Sequence, residues 1–315
     1  MTKINRIKIE KFKRASLVDI NLSEINVLVG ANNSGKSSTI QGLHFVITLF
    51  QSLELAKRWQ NNKRSTIFPE ELIYSPADDP YRLYEEGRLK QSTFIKFGLT
   101  LNDGQVIDVD LTKGKNANLS ARVAPTELAK ELASLTTPSS IYSPGLAGIA
   151  RREQFVSEGV LLRAVSRGDA NLYLRNILYR LSEKAEWNSF ERDLQRLFGN
   201  LKVEVDFDIS SQKSIVINID FGGRSVPIES CGTGLLQAIQ ILSYVHYFKP
   251  SLIILDEPDL HLHPNNQRLI CDLLQYVSEE YRSRIVLTTH SRHVIDALQG
   301  KAQFIWVQNG TRLSP

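Results

Sequence analysis

The sequence is poor in cysteine, in long apolar runs and in net charge. Its two cysteines, Cys231 and Cys271, stand at no metal-ligand spacing. Neither a disulfide scaffold nor a cysteine zinc site is therefore available, and a reducing compartment is expected. The opening MTKINRIKIE has no apolar stretch of the kind a secretory signal carries. The most apolar window, Ile40 to Leu55, is interrupted by Gln41, His44, Thr48, Gln51 and Ser52, which a bilayer core would penalise. A soluble, cytoplasmic protein with no membrane partner is the expectation. Lys and Arg number 38 against 34 Asp and Glu, a net charge of only +4. Even that excess is local. The first fourteen residues hold Lys3, Arg6, Lys8, Lys11, Lys13 and Arg14 against Glu10 alone, so this segment carries +5 and the rest of the chain −1.

What is present is globular. At 315 residues, 42% hydrophobic and 23% charged, the chain can bury roughly three quarters of its unfolded surface as one large domain or two. Collagen-like, coiled-coil-only and wholly disordered readings are excluded. Residues 4 to 12 and INVLVG (25 to 30) read as strands feeding a glycine turn, followed by apolar residues at helical spacing from Ile40 to Leu53. Residues 58 to 92 read as an insertion, and TFIKFGLTL, Asp103-Gly104 and QVIDVDL as a hairpin. Residues 113 to 150 read as partly loop, 155 to 198 as helical, and 203 to 221 as a second hairpin. Past Gly222-Gly223, helices alternate with the short apolar strands LIILDE, RIVLTTHS and FIWVQ, which indicates a parallel sheet buried on both faces. Four parts follow: an N-terminal core segment (1–57), an insertion and β-lobe (58–112), a helical lobe (113–200) and a C-terminal core segment (201–315).

Residues Gly30-Ala31-Asn32-Asn33-Ser34-Gly35-Lys36-Ser37 fit G-x-x-x-x-G-K-[ST] between a strand and a helix. Glycines let backbone N–H groups curl around phosphate oxygens, Lys36 supplies positive charge, Ser37 suits Mg²⁺, and the helix N-terminus favours anions. LIILDE then ends a buried strand in two carboxylates. Asp256 is placed toward the metal, and Glu257, one residue on, where it can polarise water for attack on a γ-phosphate. His290 ends another apolar strand and faces the ligand crevice of a parallel sheet.

These elements resemble the ABC-type ATPase superfamily, in the branch that contains RecF, SMC heads and the OLD-like ATPases. IKIEKFKR is similar to that branch's first strand, GANNSGKSS to its Walker A, LIILDEPDLHLHP to its Walker B and following loop, and VLTTHS to its histidine switch. The resemblance implies an α/β P-loop NTPase fold: an ABC-ATPase head with a mixed central sheet, a β-lobe and an inserted helical lobe. It implies ATP and Mg²⁺ as cofactors, held by Gly30, Asn32, Asn33, Ser34, Gly35, Lys36, Ser37 and Ser38. It places Lys13 and Arg14 near adenine and ribose. ESCGTGLLQ stands where the family signature lies, so Gly232, Thr233 and Gly234 are expected to reach the partner's nucleotide in an ATP-bridged homodimer, although the segment is not LSGGQ. No glutamine stands out for the Q-loop, and Gln154 is the candidate metal ligand there. About 220 positions separate Lys36 from Asp256, which favours the ABC type over AAA+ and RecA-like cores.

The basic N-terminal segment suits nucleotide contact, a solvated strand edge or nucleic acid. A second cluster, Arg151, Arg152, Arg163, Arg167, Arg175 and Arg180, suits a solvated helix face better than a partner or nucleic-acid surface, since aromatic interleaving is sparse. His261 and His263 read as part of the loop after Walker B, because a zinc pair would lack a third ligand nearby. With about 25 residues after His290 there is no room for a Toprim nuclease. An ATPase without its own effector resembles the ATPase subunits of antiphage systems such as PARIS and Septu, which act beside a separate nuclease or toxin. A RecF-like repair ATPase that binds DNA is the alternative.

Overall fold

A computed structural model describes residues 2–61, 63–144, 149–260 and 262–312. The first half of the chain holds β1 (Ile4–Phe12), β2 (Ala15–Asn21), β3 (Ile25–Val29), α1 (Lys36–Leu55), β4 (Arg64–Ile67), β5 (Ile95–Leu101), β6 (Val106–Lys113), β7 (Leu119–Ala124), α2 (Thr126–Glu131) and β8 (Ser140–Pro144). The second holds α3 (Glu158–Arg167), α4 (Leu174–Ser182), α5 (Trp187–Phe198), β9 (Lys202–Asp206), β10 (Val216–Asp220) and β11 (Ser225–Pro227). It closes with α6 (Thr233–Phe248), β12 (Leu252–Asp256), α7 (Pro264–Tyr281), β13 (Arg284–Thr288), α8 (Arg292–Leu298), β14 (Gln303–Gln308) and β15 (Thr311–Arg312).

Twelve strands form one mixed sheet in the order β4-β7-β6-β5-β1-β2-β15-β14-β3-β13-β12-β8. The run from β4 to β2 is antiparallel, and β14, β3, β13, β12 and β8 are parallel. The short β15 joins the two halves, antiparallel to β14 and parallel to β2. The parallel strands read as continuous apolar runs because both of their faces are covered. Leu28, Ile254 and Val286 point to the α1 side, and Val27, Leu255 and Leu287 to the side of α6, α7 and α8.

Helix α1 lies between the two halves of the sheet and touches β1 and β2 on one side and β8, β12 and β13 on the other. Sixteen of its twenty residues are buried, as expected of a helix apolar all round. Several of its polar side chains bond to backbone carbonyls. Thr48 Oγ1 donates to His44 O (3.1 Å), Ser52 Oγ to Thr48 O (2.7 Å) and Gln51 Nε2 to Ser134 O (3.0 Å).

A buried carboxylate ties α5 to α6 and α7. Asp193 of α5 accepts from His246 of α6 (2.9 Å), from Tyr276 of α7 (2.7 Å) and from Tyr281. The small antiparallel sheet β11-β10-β9 flanks α4 and α5.

Two sequence expectations change. The stretch from 113 to 150, read as partly loop, contains β7, α2 and β8, and the antiparallel lobe therefore continues past residue 112. The strand β8 escaped notice because SIYSP carries two serines and a terminal proline, yet it is the parallel neighbour of β12. Among the described residues, no helix is long and apolar enough to cross a membrane.

Candidate functional site

All five residues of β3 are buried, so the strand fixes where the following loop begins. At Gly30 (φ 156°) a Cβ would collide with the Val307 carbonyl oxygen of β14, which makes glycine obligatory there. Asn33 (φ 66°) and Gly35 (φ 110°) turn the chain back through left-handed conformations into α1. No acidic residue occupies the first turn of α1 and no side chain caps it, so its N–H groups are available to an anion. The Lys36 ammonium lies over this loop and donates to Gly30 O and Ala31 O, both at 3.0 Å. Burial pushes its pKa down, while the Glu257 and Asp256 carboxylates push it back up. Arg14 Nη1 donates to Asn33 O (3.2 Å), and Arg14 N–H to Ser38 Oγ (3.4 Å). Together Arg14, Asn32 to Ser38, Glu257 and His290 line one cleft of about 240 Å³.

The parallel register sets Asp256 at the end of β12 opposite Thr288 of β13 and Pro144 of β8. Four side chains meet here. Asp256 Oδ1 accepts from Thr288 Oγ1 (2.6 Å) and Ser37 Oγ (3.3 Å), and Oδ2 accepts from Tyr142 of β8 (3.3 Å). Glu257 follows in a left-handed conformation, φ 51°, and its N–H donates to Thr288 Oγ1 at 2.9 Å. His290 Nε2 lies 3.3 Å from Glu257 Oε1. A hydroxyl and a carboxylate beside a phosphate-type loop are hard oxygen donors, the set Mg²⁺ takes when phosphate oxygens and water complete its shell. Among the described residues no cluster of three His, Cys, Asp or Glu offers a closed metal cage.

Other expected residues lie elsewhere. Gly232 caps α6, and Thr233 and Gly234 open it; none of the three lines the cleft of its own chain. Lys13 does not reach the cleft either. Its ammonium donates to Gln41 Oε1 (2.7 Å) and Pro76 O (3.3 Å), because the β1–β2 turn, with Lys13 at φ 50°, directs it inward. Burial pushes its pKa down and the Asp256 charge acts in the opposite direction.

Gln154 requires correction as a metal ligand. It is exposed, its backbone bridges to Ser214 beside the small sheet, and its carbonyl accepts from Asn176 (2.8 Å). The side chain that does reach Asp256 from this part of the chain is Tyr142. His261 lies outside the described residues, and His263 serves as the α7 cap, its Nδ1 accepting from Asn265 N–H (3.4 Å).

Sequence reasoning also passed over Thr288 and Gly310. Asn309-Gly310 is a hairpin-turn dipeptide, and both residues have positive φ. Gly310 N–H donates to Ser34 O at 2.8 Å, while its own carbonyl accepts from Ser16 N–H at 2.8 Å. The turn thus holds the phosphate-type loop against the segment that carries Arg14.

Comparison with known proteins agrees with this geometry. The chain is similar in fold to the Smc head domain of Pyrococcus furiosus bound to the C-terminal domain of ScpA (TM-score 0.59, 12% identity, covering 99% of this chain and 95% of that one). The SMC head domain from Thermotoga maritima gives a TM-score of 0.53 at 15% identity over 98% of this chain and 97% of that one. A third structure, an SMC head bound to the C-terminal winged-helix domain of ScpA, gives 0.52 at 15% identity over 98% and 96%. These likenesses show the fold, that of a P-loop NTPase head. No curated protein matches the chain. A family model, by contrast, spans residues 25–296, from the strand that starts the phosphate-type loop to the helix after His290. With loop, carboxylates and histidine all inside that span, the chain belongs to the family described as "AAA domain, putative AbiEii toxin, Type IV TA system".

Proposed function

We propose that the chain binds ATP with Mg²⁺, hydrolyses it, and uses the cycle as a switch that controls a separate effector in antiphage defence. The observation that carries the catalytic part is the convergence of Ser37, Glu257 and His290 on one cleft beside the Lys36 loop, with Asp256 bonded to Ser37 behind it. Backbone N–H groups of residues 30–38 and the Lys36 ammonium hold the phosphates. Arg14 lies over the same loop. Ser37 and Asp256 would hold Mg²⁺, which neutralises charge on the phosphate oxygens. Glu257 takes a proton from water as the water oxygen bonds to the γ-phosphorus. The bond from phosphorus to the β–γ bridging oxygen then breaks, leaving ADP and phosphate. His290, 3.3 Å from the Glu257 carboxylate, would sense the γ-phosphate. Gly232, Thr233 and Gly234, at a helix start outside their own cleft, would close the partner's site in a homodimer.

The family description names a toxin of a type IV TA system. The resemblance to PARIS and Septu subunits is what suggests a separate effector and antiphage defence. The test is to purify the chain with the product of its neighbouring gene. We expect a nucleotide-dependent complex that Glu257→Gln locks in place. Failure to form any complex, together with salt-sensitive stimulation of ATPase by duplex DNA, would replace this reading with a RecF-like repair role.

A further inference from the structure

We infer that Thr288 is a positioning residue, which through one hydroxyl sets both the carboxylate that holds the metal and the carboxylate that activates water. The inference rests on the ATPase reading above. Thr288 is fully buried, so its hydroxyl has no water to turn to and must find protein partners. It has one proton and gives it to Asp256 Oδ1 at 2.6 Å. A lone pair on the same oxygen accepts the Glu257 N–H at 2.9 Å. The two bonds are thus ordered head to tail, from the Glu257 backbone through Thr288 to Asp256.

This ordering matters because Glu257 is held where a side-chain-bearing residue rarely sits. Its φ is 51° and Pro258 follows it, a position that itself favours extended backbone. A left-handed residue of this type persists only where its surroundings fix it, and the bond to Thr288 supplies that restraint. The parallel register places Thr288 directly opposite Asp256. Its branched Cβ restricts the rotamer, so the hydroxyl stays aimed at the neighbouring strand. Without the hydroxyl, Glu257 N–H loses its buried acceptor and Asp256 its shortest bond.

The test compares Thr288→Val, which keeps the shape and removes the hydroxyl, with Thr288→Ser, which keeps the hydroxyl. Binding of the non-hydrolysable analogue AMPPNP is measured by calorimetry across a Mg²⁺ titration, with ATP turnover measured alongside. For Thr288→Val we expect the Mg²⁺ needed for half-saturation to rise by about tenfold or more, turnover to fall, and metal-free nucleotide binding to stay unchanged. Thr288→Ser should return both to within about threefold of the parent protein. A Val variant with parental Mg²⁺ dependence overturns the inference, as does a Ser variant that behaves like Val, because the methyl group would then be what matters. If the Val protein does not fold, Thr288→Cys, with a far weaker donor at the same place, is read in its stead. A parent protein whose nucleotide binding ignores Mg²⁺ sinks the assignment of Ser37 and Asp256 as well. A normal Mg²⁺ response that Thr288→Val leaves untouched sinks this inference alone.

Discussion

His290 Nε2 stands 3.3 Å from Glu257 Oε1 in the cleft beside the phosphate-type loop, each side chain about one-third exposed (39% and 33%). The pair joins the ends of two neighbouring parallel strands. Replacing His290 by Ala leaves Glu257 without this partner. ATP turnover should drop about 100-fold while ATP affinity, measured by calorimetry, stays within a few-fold of the parent. Equal losses in both would make His290 a general binding residue.

Lys36 donates to two carbonyls of its own loop and feels the Glu257 and Asp256 charges; on the proposed reading its charge meets the phosphates. Lys36→Ala should weaken ATP binding by about 10- to 100-fold and leave the unfolding midpoint in urea essentially unchanged. Parental affinity in the variant would remove the lysine from the phosphate site.

Acid should destabilise the protein through His44. The residue lies inside α1, donates Nε2–H to Ser166 O at 2.9 Å and stacks on Tyr142 at 5.2 Å. Burial pushes its pKa down to about 4, against a smaller upward effect of the Ser166 carbonyl. The unfolded chain therefore takes up a proton at His44 near pH 6.5 that the folded chain refuses until about pH 4. Its contribution is full above pH 6.5 and is lost as pH falls through that window, amounting to roughly 3 kcal/mol. Urea unfolding at a series of pH values should show this slope, and His44→Gln should flatten it over the same window.

The turn at Gly310 offers a sharper structural test. Its φ is 76°, and a Cβ there would strike the Arg14 carbonyl oxygen, whereas Gly87, at φ 117°, has open space around it. Gly310→Ala should cost about 3 kcal/mol or more and lower ATP affinity, because Ser34 and Arg14 both lean on that turn. Gly87→Ala should cost only about 1 kcal/mol and leave affinity alone. Similar losses in the two variants would mean that left-handed strain, and not the collision, decides the outcome.

Asp193 predicts a purely architectural effect. Burial pushes its pKa up, but hydrogen bonds from His246, Tyr281 and Tyr276 outweigh this and hold it below the usual carboxylate value. Asp193→Ala removes the acceptor shared by His246, Tyr276 and Tyr281, leaving the 3.2 Å contact between Tyr281 Oη and His246 Nε2, and should cost about 3–5 kcal/mol. Isolated loss of ATP turnover without loss of stability would contradict that role.

The phosphate-type loop, Asp256, Glu257 and His290 were legible because each lies at or just past the end of a mainly apolar strand. The strand β8 is less apolar, and Gln154, the expected metal ligand, lies ten residues beyond its end. Tyr142 and Thr288 were invisible for another reason: their roles come from register across strands far apart in sequence, and a tyrosine or threonine inside a strand reads as ordinary β-forming composition. Lys13 shows the limit of motif reasoning, since one left-handed turn residue sends its ammonium to Gln41 instead of into the cleft.

The placement of β3 has a consequence for how the protein is made. This strand is completed by residue 29, yet its two neighbours in the sheet, β13 and β14, span residues 284–288 and 303–308. On the ribosome the phosphate-type loop thus emerges long before the two strands that brace β3. Closing contacts of such long sequence separation is slow, and the waiting strand is almost wholly apolar. The nascent chain therefore carries a mainly apolar strand unsheltered until β13 and β14 have been made.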